Sequence, residues 1–259
     1  MSHFPINCPK RWLASVVLAF IGPTANLGFG QSSPDIKTIL ESVANVYEGQ
    51  RQYDVLGATT TEQYSATGKS VIKAKFRIAF QEPNKFRFEQ ESSVEIDGTP
   101  NGTAFGPMVI IGDGTDVWGV SPTVNQYTKF RPSDLPTIQA WVKAATSAVF
   151  APPAMLGKEL ANSKFIREEF IPINGTNVAC FVIKLISPAR PESTTFWVEK
   201  TRFMIRRIRS ELVPSADTPS LGLSTTSDFL VVNIGVAPAG GTFVFTPSPS
   251  AVEVDKFNP

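Results

Sequence analysis

A strict two-residue alternation constrains this chain more than anything else in it. In "VIKAKFRIAF" (71–80), Ile72, Ala74, Phe76, Ile78 and Phe80 alternate with Lys73, Lys75 and Arg77. In "KFRFEQ" (85–90), Phe86 and Phe88 alternate with Lys85, Arg87 and Glu89. Successive side chains of an extended strand point to opposite sides, so period two gathers the apolar residues on one face, where a helix would scatter them. The pattern predicts neighbouring antiparallel strands with one apolar face and one charged, wet face. Phe76, Ile78, Phe80, Phe86 and Phe88 should then border one continuous apolar surface.

Other segments extend the same sheet. Strands are expected near 53–66, 91–97, 105–111, 164–172, 177–186, 193–199, 203–212 and 225–234. Asn174-Gly175 forms a hairpin turn between two of them. "VIIGDGTDVWGVSPTVNQYTKF" (109–130) carries the turn signals Gly-Asp-Gly and Ser-Pro between short β-prone pieces, and reads as a meander. Two stretches have helical spacing instead. In 34–48, Ile36, Ile39, Leu40, Val43, Val46 and Tyr47 follow Ser33, a candidate N-cap, and Pro34, with Gly49 as the stop. In 134–149, Leu135, Ile138, Trp141, Val142, Ala145 and Val149 line one side and Pro152-Pro153 ends the run. The Ser/Pro-rich stretch 213–227 reads as a long loop.

The first residues have the layout of a secretory signal peptide. Lys10 and Arg11 precede an apolar run from Trp12 to Ile21, Pro23 breaks it, and Gly28 and Gly30 supply small residues before a cleavage point near Gln31. That run is too short to span a bilayer comfortably, which takes about 20 residues. The expected organisation is a signal segment 1–30 and one domain over 31–259. Removing Lys10 and Arg11 leaves 22 basic against 23 acidic side chains, a balance that calls for neither nucleic acid nor an anionic surface. His3 and Cys8 fall in the removed segment, so the mature chain keeps Cys180 alone and has no histidine. This excludes an intramolecular disulfide, the usual zinc sets and every His-based nucleophilic triad. Cys180, inside the apolar "VACFVIKLI", reads as a buried inert thiol. Cys8 precedes the apolar run instead of ending it, so no lipobox is present.

Other chemistry-bearing patterns have plainer readings. Asn101-Gly102-Thr103 and Asn174-Gly175-Thr176 match the glycosylation acceptor pattern, but Asn-Gly is foremost a turn former. Asp113 and Asp116 lack the rest of a calcium loop and read as a turn. Glu168 and Glu169 point to opposite faces of a strand, while Glu89 and Glu91 share the charged one, so all four read as surface carboxylates. No G-x-S-x-G, P-loop or G-x-G-x-x-G occurs.

Three stretches in order carry a family resemblance: "EPNKFRFE" (82–89), "IIGDGTDVWGVSPTVNQYT" (110–128) and "FVFTPSPSAVEVDKF" (243–257). Together they resemble the periplasmic carriers of outer-membrane lipoproteins of the LolA type, within the LolA, LolB and RseB superfamily. The resemblance implies an α+β, β-dominated fold: a strongly curved antiparallel half-barrel whose covering helices enclose an apolar cavity for acyl chains. It implies a cavity lined or braced by Trp118 together with the apolar face above, and a lid built from Leu135, Ile138, Trp141 and Val142. It also implies a soluble periplasmic monomer with no cofactor, metal or catalytic residue. Its partners would be acylated lipoproteins or other lipid-like ligands, an inner-membrane donor and an outer-membrane acceptor. A sensor module of the RseB kind, binding a lipid-like cue and a protein partner, is the alternative. The chain departs from the carriers at Glu82, where they place an Arg before the Pro, and at Gly119 and Val120, after the meander Trp. Glu82 is expected to cap the helix at 134–149 or to pair with Lys143.

Overall fold

The computed structural model describes residues 35–65, 68–102, 105–130, 162–186, 192–212 and 222–255. The expected signal segment and the expected helix at 134–149, with Leu135, Ile138, Trp141 and Val142, lie outside them.

The helix α1 spans Ile36–Tyr47. Its N-cap is Asp35, two residues beyond the expected Ser33: the Asp35 carboxylate accepts from the Lys37 backbone N–H at 3.1 Å and from the Thr38 hydroxyl at 2.9 Å. An acceptor placed there satisfies amides that the first turn cannot pair internally. Glu48 closes the last turn by donating its N–H to the Ala44 carbonyl, and Gly49 leaves the helix at φ +68°. Ile39, Leu40 and Val43 form the buried stripe.

The remaining elements are strands: β1 (Gln52–Ser65), β2 (Gly68–Gln81), β3 (Lys85–Ile96), β4 (Thr99–Pro100), β5 (Phe105–Asp113), β6 (Val117–Ser121), β7 (Gln126–Lys129), β8 (Ser163–Ile173), β9 (Thr176–Ile186), β10 (Glu192–Glu199), β11 (Ile205–Leu212), β12 (Gly222–Ile234) and β13 (Val252–Glu253). They form one sheet in the order β13-β7-β6-β5-β3-β2-β1-β12-β11-β10-β9-β8, with β4 beside β3. Every pairing is antiparallel except that of β13 with β7. The described residues thus form a strand-dominated α+β structure with a single α-helix.

Two expectations about elements need correction. The strands expected at 85–90 and 91–97 are one strand, because β3 pairs with β2 without interruption from Gln81 and Lys85 to Ser70 and Ile96. The stretch read as loop to residue 227 is already strand from Gly222, where Leu223, Ser224, Thr225, Thr226 and Ser227 pair with both β1 and β11. Serine-rich composition suggested a loop, but two neighbours supply every ladder bond. Asn174 (φ +49°) and Gly175 (φ +75°) make the expected left-handed turn, here between β8 and β9. Asp97 and Gly98 make a second one between β3 and β4.

The main core lies on one side of the sheet, called here the helix face. Ile39, Leu40 and Val43 pack there with Tyr53, Val55, Ile78, Phe88, Ile183, Phe196, Val198, Ile205, Ile208, Phe229 and Val232. Burying an aliphatic side chain of this size contributes roughly 1.5–3 kcal/mol. A smaller cluster of Ile171, Ile173, Cys180, Val182 and Trp197 forms on the opposite face. Beside it Glu199 accepts from Arg206 at 2.7 Å, from Arg202 at 2.8 Å and from the Thr201 hydroxyl at 2.9 Å. Burial alone would raise the Glu199 pKa; the bonds from Arg202, Arg206 and Thr201 outweigh it and hold the carboxyl below its ordinary value.

Candidate ligand-binding face

The ladder registers decide which expected site residues meet. Val55 stands opposite Ile78, Ile78 opposite Phe88, and Phe88 opposite Ile110. Phe80 stands opposite both Tyr53 and Phe86, and Phe76 opposite Gly57. Phe76, Ile78, Phe80, Phe86 and Phe88 therefore share the helix face, as their alternation requires. Most of them are consumed by packing. Ile78 and Phe88 are buried beneath α1, Phe80 stacks on Tyr53 at 5.4 Å, and Phe86 is buried over Gly112. Phe76 is half-buried at the edge of the core, its ring edge-on to Phe229 at 6.1 Å.

Trp118 does not join them. It pairs with Ile111, whose neighbour across β3 is Arg87, and so projects from the opposite face. That face differs from the wet, charged surface expected, because the segment after β12 crosses it as a strap. Gly235 is tied to Gln52 by two hydrogen bonds of 3.0 Å. Thr242 accepts from Arg87 at its carbonyl (3.2 Å) and from Arg77 at its hydroxyl (3.5 Å). Phe245 packs between Trp118 and Tyr127, and β13 then pairs with β7. Asp54, Ala79 and Ile111 are buried on this face. Arg77 holds Asp54 through two hydrogen bonds of 3.0 and 2.8 Å, and Glu89 pairs with Arg87. Beside the strap runs a cleft of about 310 Å³ bordered by Leu56, Lys75, Glu91, Val109 and Pro122.

The remaining carboxylates and the thiol have structural partners. Glu168 pairs with Lys200, Glu169 with Arg167 and the Trp197 indole N–H, and the Asp113 carboxylate accepts from the Thr115 and Asp116 amides. Burial pushes the Cys180 thiol up to about 12. Glu82 pairs with exposed Arg51 at 3.5 Å, and its N–H donates to the Arg51 carbonyl. This corrects the expected pairing with Lys143 or a helix end: the β1 entry lies directly beside the Glu82 turn, and Lys143 is outside the described residues.

A second region of the helix face extends beyond α1, and sequence reasoning did not single it out. β1 and β2 are each 14 residues long, whereas α1 has 12 residues at 1.5 Å per residue and covers only their Tyr53/Phe80 end. Past Phe76 the face continues with Ala74 and Ile72 on β2, Ser92, Val94 and Ile96 on β3, Thr59 and Thr61 on β1, Ser227, Thr225 and Leu223 on β12, and Ser210 and Leu212 on β11. Ile72, Ile96 and Leu223 are 38–44% exposed, unusual for large apolar side chains on a core-bearing face. The signal was present in the alternation at 71–80, which runs past the point where one helix could cover it.

No family model matches the chain, and no curated protein matches it. Solved structures do. The chain is similar to LprF from Mycobacterium bovis at 14% identity, over 80% of this chain and 96% of that one, with a TM-score of 0.42. It is similar to the MucA/MucB complex of Pseudomonas aeruginosa at 12% identity, over 82% of this chain and 61% of that one, with a TM-score of 0.33. It is also similar to a LolA superfamily protein from Nitrosomonas europaea at 11% identity, over 81% and 97%, with a TM-score of 0.25. The last carries the superfamily name to which the sequence motifs also point. Among the described residues, no helix is long and apolar enough to cross a membrane.

Proposed function

We propose that this protein is an exported, periplasmic lipid carrier that holds acyl chains against the part of its helix face left uncovered by α1, and that it serves in outer-membrane lipoprotein sorting. In this reading residues 1–30 are a signal peptide and 31–259 a single lipid-binding domain that works by binding and not by catalysis. One observation carries the reading: an apolar face continuous with the core, from Phe76 through Ile72 to Leu223, keeps large side chains partly exposed. At about 0.8 kcal/mol per buried CH₂, an acyl chain laid along it gains several kcal/mol per half-dozen carbons. The motifs at 82–89, 110–128 and 243–257 support the same reading by resemblance. The partners it implies are acylated lipoproteins, with a donor and an acceptor at the two membranes.

Delipidated protein should bind N-phenyl-1-naphthylamine with an emission increase, and Ile72→Glu and Leu223→Glu should each weaken binding at least tenfold while the melting temperature stays within a few degrees. Equal binding by both variants would remove this face as the site. Native mass spectrometry of protein from its own host's envelope should show acylated species in association.

A further inference from the structure

We infer that a band of hydroxyl groups on this same uncovered face makes the site selective for acyl esters over free fatty acids; the inference rests on the reading of the face as the lipid site.

Thr59 and Ser227 lie with their hydroxyl oxygens 3.1 Å apart, Thr61 and Thr225 3.2 Å, and Thr194 and Ser210 3.4 Å. The three pairs span four adjacent strands, β1, β12, β11 and β10, and all project from the helix face immediately past Phe229, Ile208 and Phe196 of the core. Each pair holds two O–H donors and uses one of them internally, so each leaves one donor for a further acceptor. All six residues are half-buried. Cross-strand Thr pairs do staple strands, but here they lie directly beside large apolar side chains that are partly exposed.

Charge is absent from the band. On this face β1 contributes Thr59, Thr61 and Gln63, β2 contributes Ser70, Ile72 and Ala74, and β12 contributes Leu223, Thr225 and Ser227. The charged side chain that the register brings to its border is Glu192, opposite Leu212, an anion. A fatty carboxylate placed here would lose water, find no cation and meet a like charge. An ester carbonyl needs one or two neutral donors beside an apolar path for its chain, which is what hydroxyls next to Phe76 and Ile72 offer. The occupant is thus a neutral acyl ester, its carbonyl on the hydroxyls and its chain toward Phe76.

The test is displacement of bound N-phenyl-1-naphthylamine from the full mature chain at pH 8 by 1-palmitoylglycerol or by palmitate, two ligands of one chain length. The wild type should prefer the ester about tenfold. The isosteric double variant Thr61→Val/Thr225→Val removes both members of a pair and leaves no orphan donor; it should still bind the probe but lose about fivefold for the ester, the worth of one net hydrogen bond. Thr59→Val/Ser227→Ala should behave alike. Equal displacement by the two ligands in the wild type overturns the inference, as does a variant that melts earlier yet keeps the ester preference, since its hydroxyls then only join strands. Failure of the wild type to bind the probe instead removes the lipid site itself, and the inference with it.

Discussion

Trp118 packs against Phe245 with ring centroids 5.8 Å apart, and Tyr127 meets the same ring at 5.3 Å. The meander of β5, β6 and β7 therefore grips the segment that follows the last long strand. This gives the aromatic residues of the meander a job other than lining a cavity: they face away from Phe88 and hold the strap in place. Aromatic pairs of this kind add about 0.5–1.5 kcal/mol beyond their burial. Phe245→Ala should lower the unfolding free energy by about 2 kcal/mol, since the ring is half-buried. Urea unfolding with an unchanged midpoint would show that the strap adds nothing to stability.

The Tyr47 hydroxyl accepts from the Ile205 backbone N–H at 3.0 Å, joining α1 to β11. Burial, opposed by that bond, pushes its pKa from 10.0 up to about 12. The unfolded phenol ionises near 10 while the folded one does not, so between pH 10 and 12 the native state binds the extra proton. Stability is thus fully present below pH 10 and falls as pH rises toward 12. Cys180, raised from 9.0 to about 12 by burial, adds a loss of the same sign that begins near pH 9. Melting temperature should fall steadily over pH 9–12, and less steeply above pH 10 in Tyr47→Phe. That variant also orphans the Ile205 amide, at a cost of about 1–3 kcal/mol near neutrality. A flat profile from pH 9 to 12 would contradict both assignments.

Glu199 is held by two guanidinium groups, and Arg206 beside it is almost wholly buried. Removing the carboxylate leaves Arg206 charged and unpaired, so Glu199→Gln should cost about 3–5 kcal/mol, whereas exposed Glu82→Gln, which loses only the contact with Arg51, should cost less than about 1 kcal/mol. The folded pKa of Glu199 lies below its ordinary 4.5, so its contribution is present above pH 4.5 and disappears as pH falls through the folded value. Acid unfolding monitored by circular dichroism should accordingly begin at higher pH in Glu199→Gln. Coincident acid transitions for variant and wild type would rule out this role.

The parts of the fold that were legible are those set by local pattern. Alternation placed Phe76, Ile78, Phe80, Phe86 and Phe88 on one face, and Asn174-Gly175 marked its hairpin, because side-chain direction and left-handed turns depend on few neighbours. What the pattern could not supply is what lies above each face. A strand reads identically whether a helix or a ligand covers it, so Ile78 and Phe88, packed beneath α1, resembled cavity floor. Trp118 was misplaced because the face it takes depends on the register across two turns, at Gly112 to Val117 and at Lys85 to Asp113. The strap was invisible because Phe243 and Phe245 bear no periodic relation to the Arg77 and Arg87 surface that receives it. The hydroxyl band emerges only when four strands far apart in sequence lie side by side.

Phe86 and Gly112 provide the sharpest separation between a packed residue and a cavity residue. They face each other across β3 and β5, and a Cβ added at Gly112 would stand 2.4 Å from Phe86 Cε1. Were the Phe86 ring beside open space, it could swing aside and Gly112→Ala would be tolerated. Because Phe86 is only 9% exposed, the ring has nowhere to go, and Gly112→Ala should destabilise by about 1–3 kcal/mol through overpacking. Phe86→Leu removes the obstructing ring edge and should recover part of that loss in the double variant, giving a coupling of at least about 1 kcal/mol where independent sites would add. Additive losses in the cycle, or a neutral Gly112→Ala, would mean that Phe86 borders free volume after all and would return it to the ligand site.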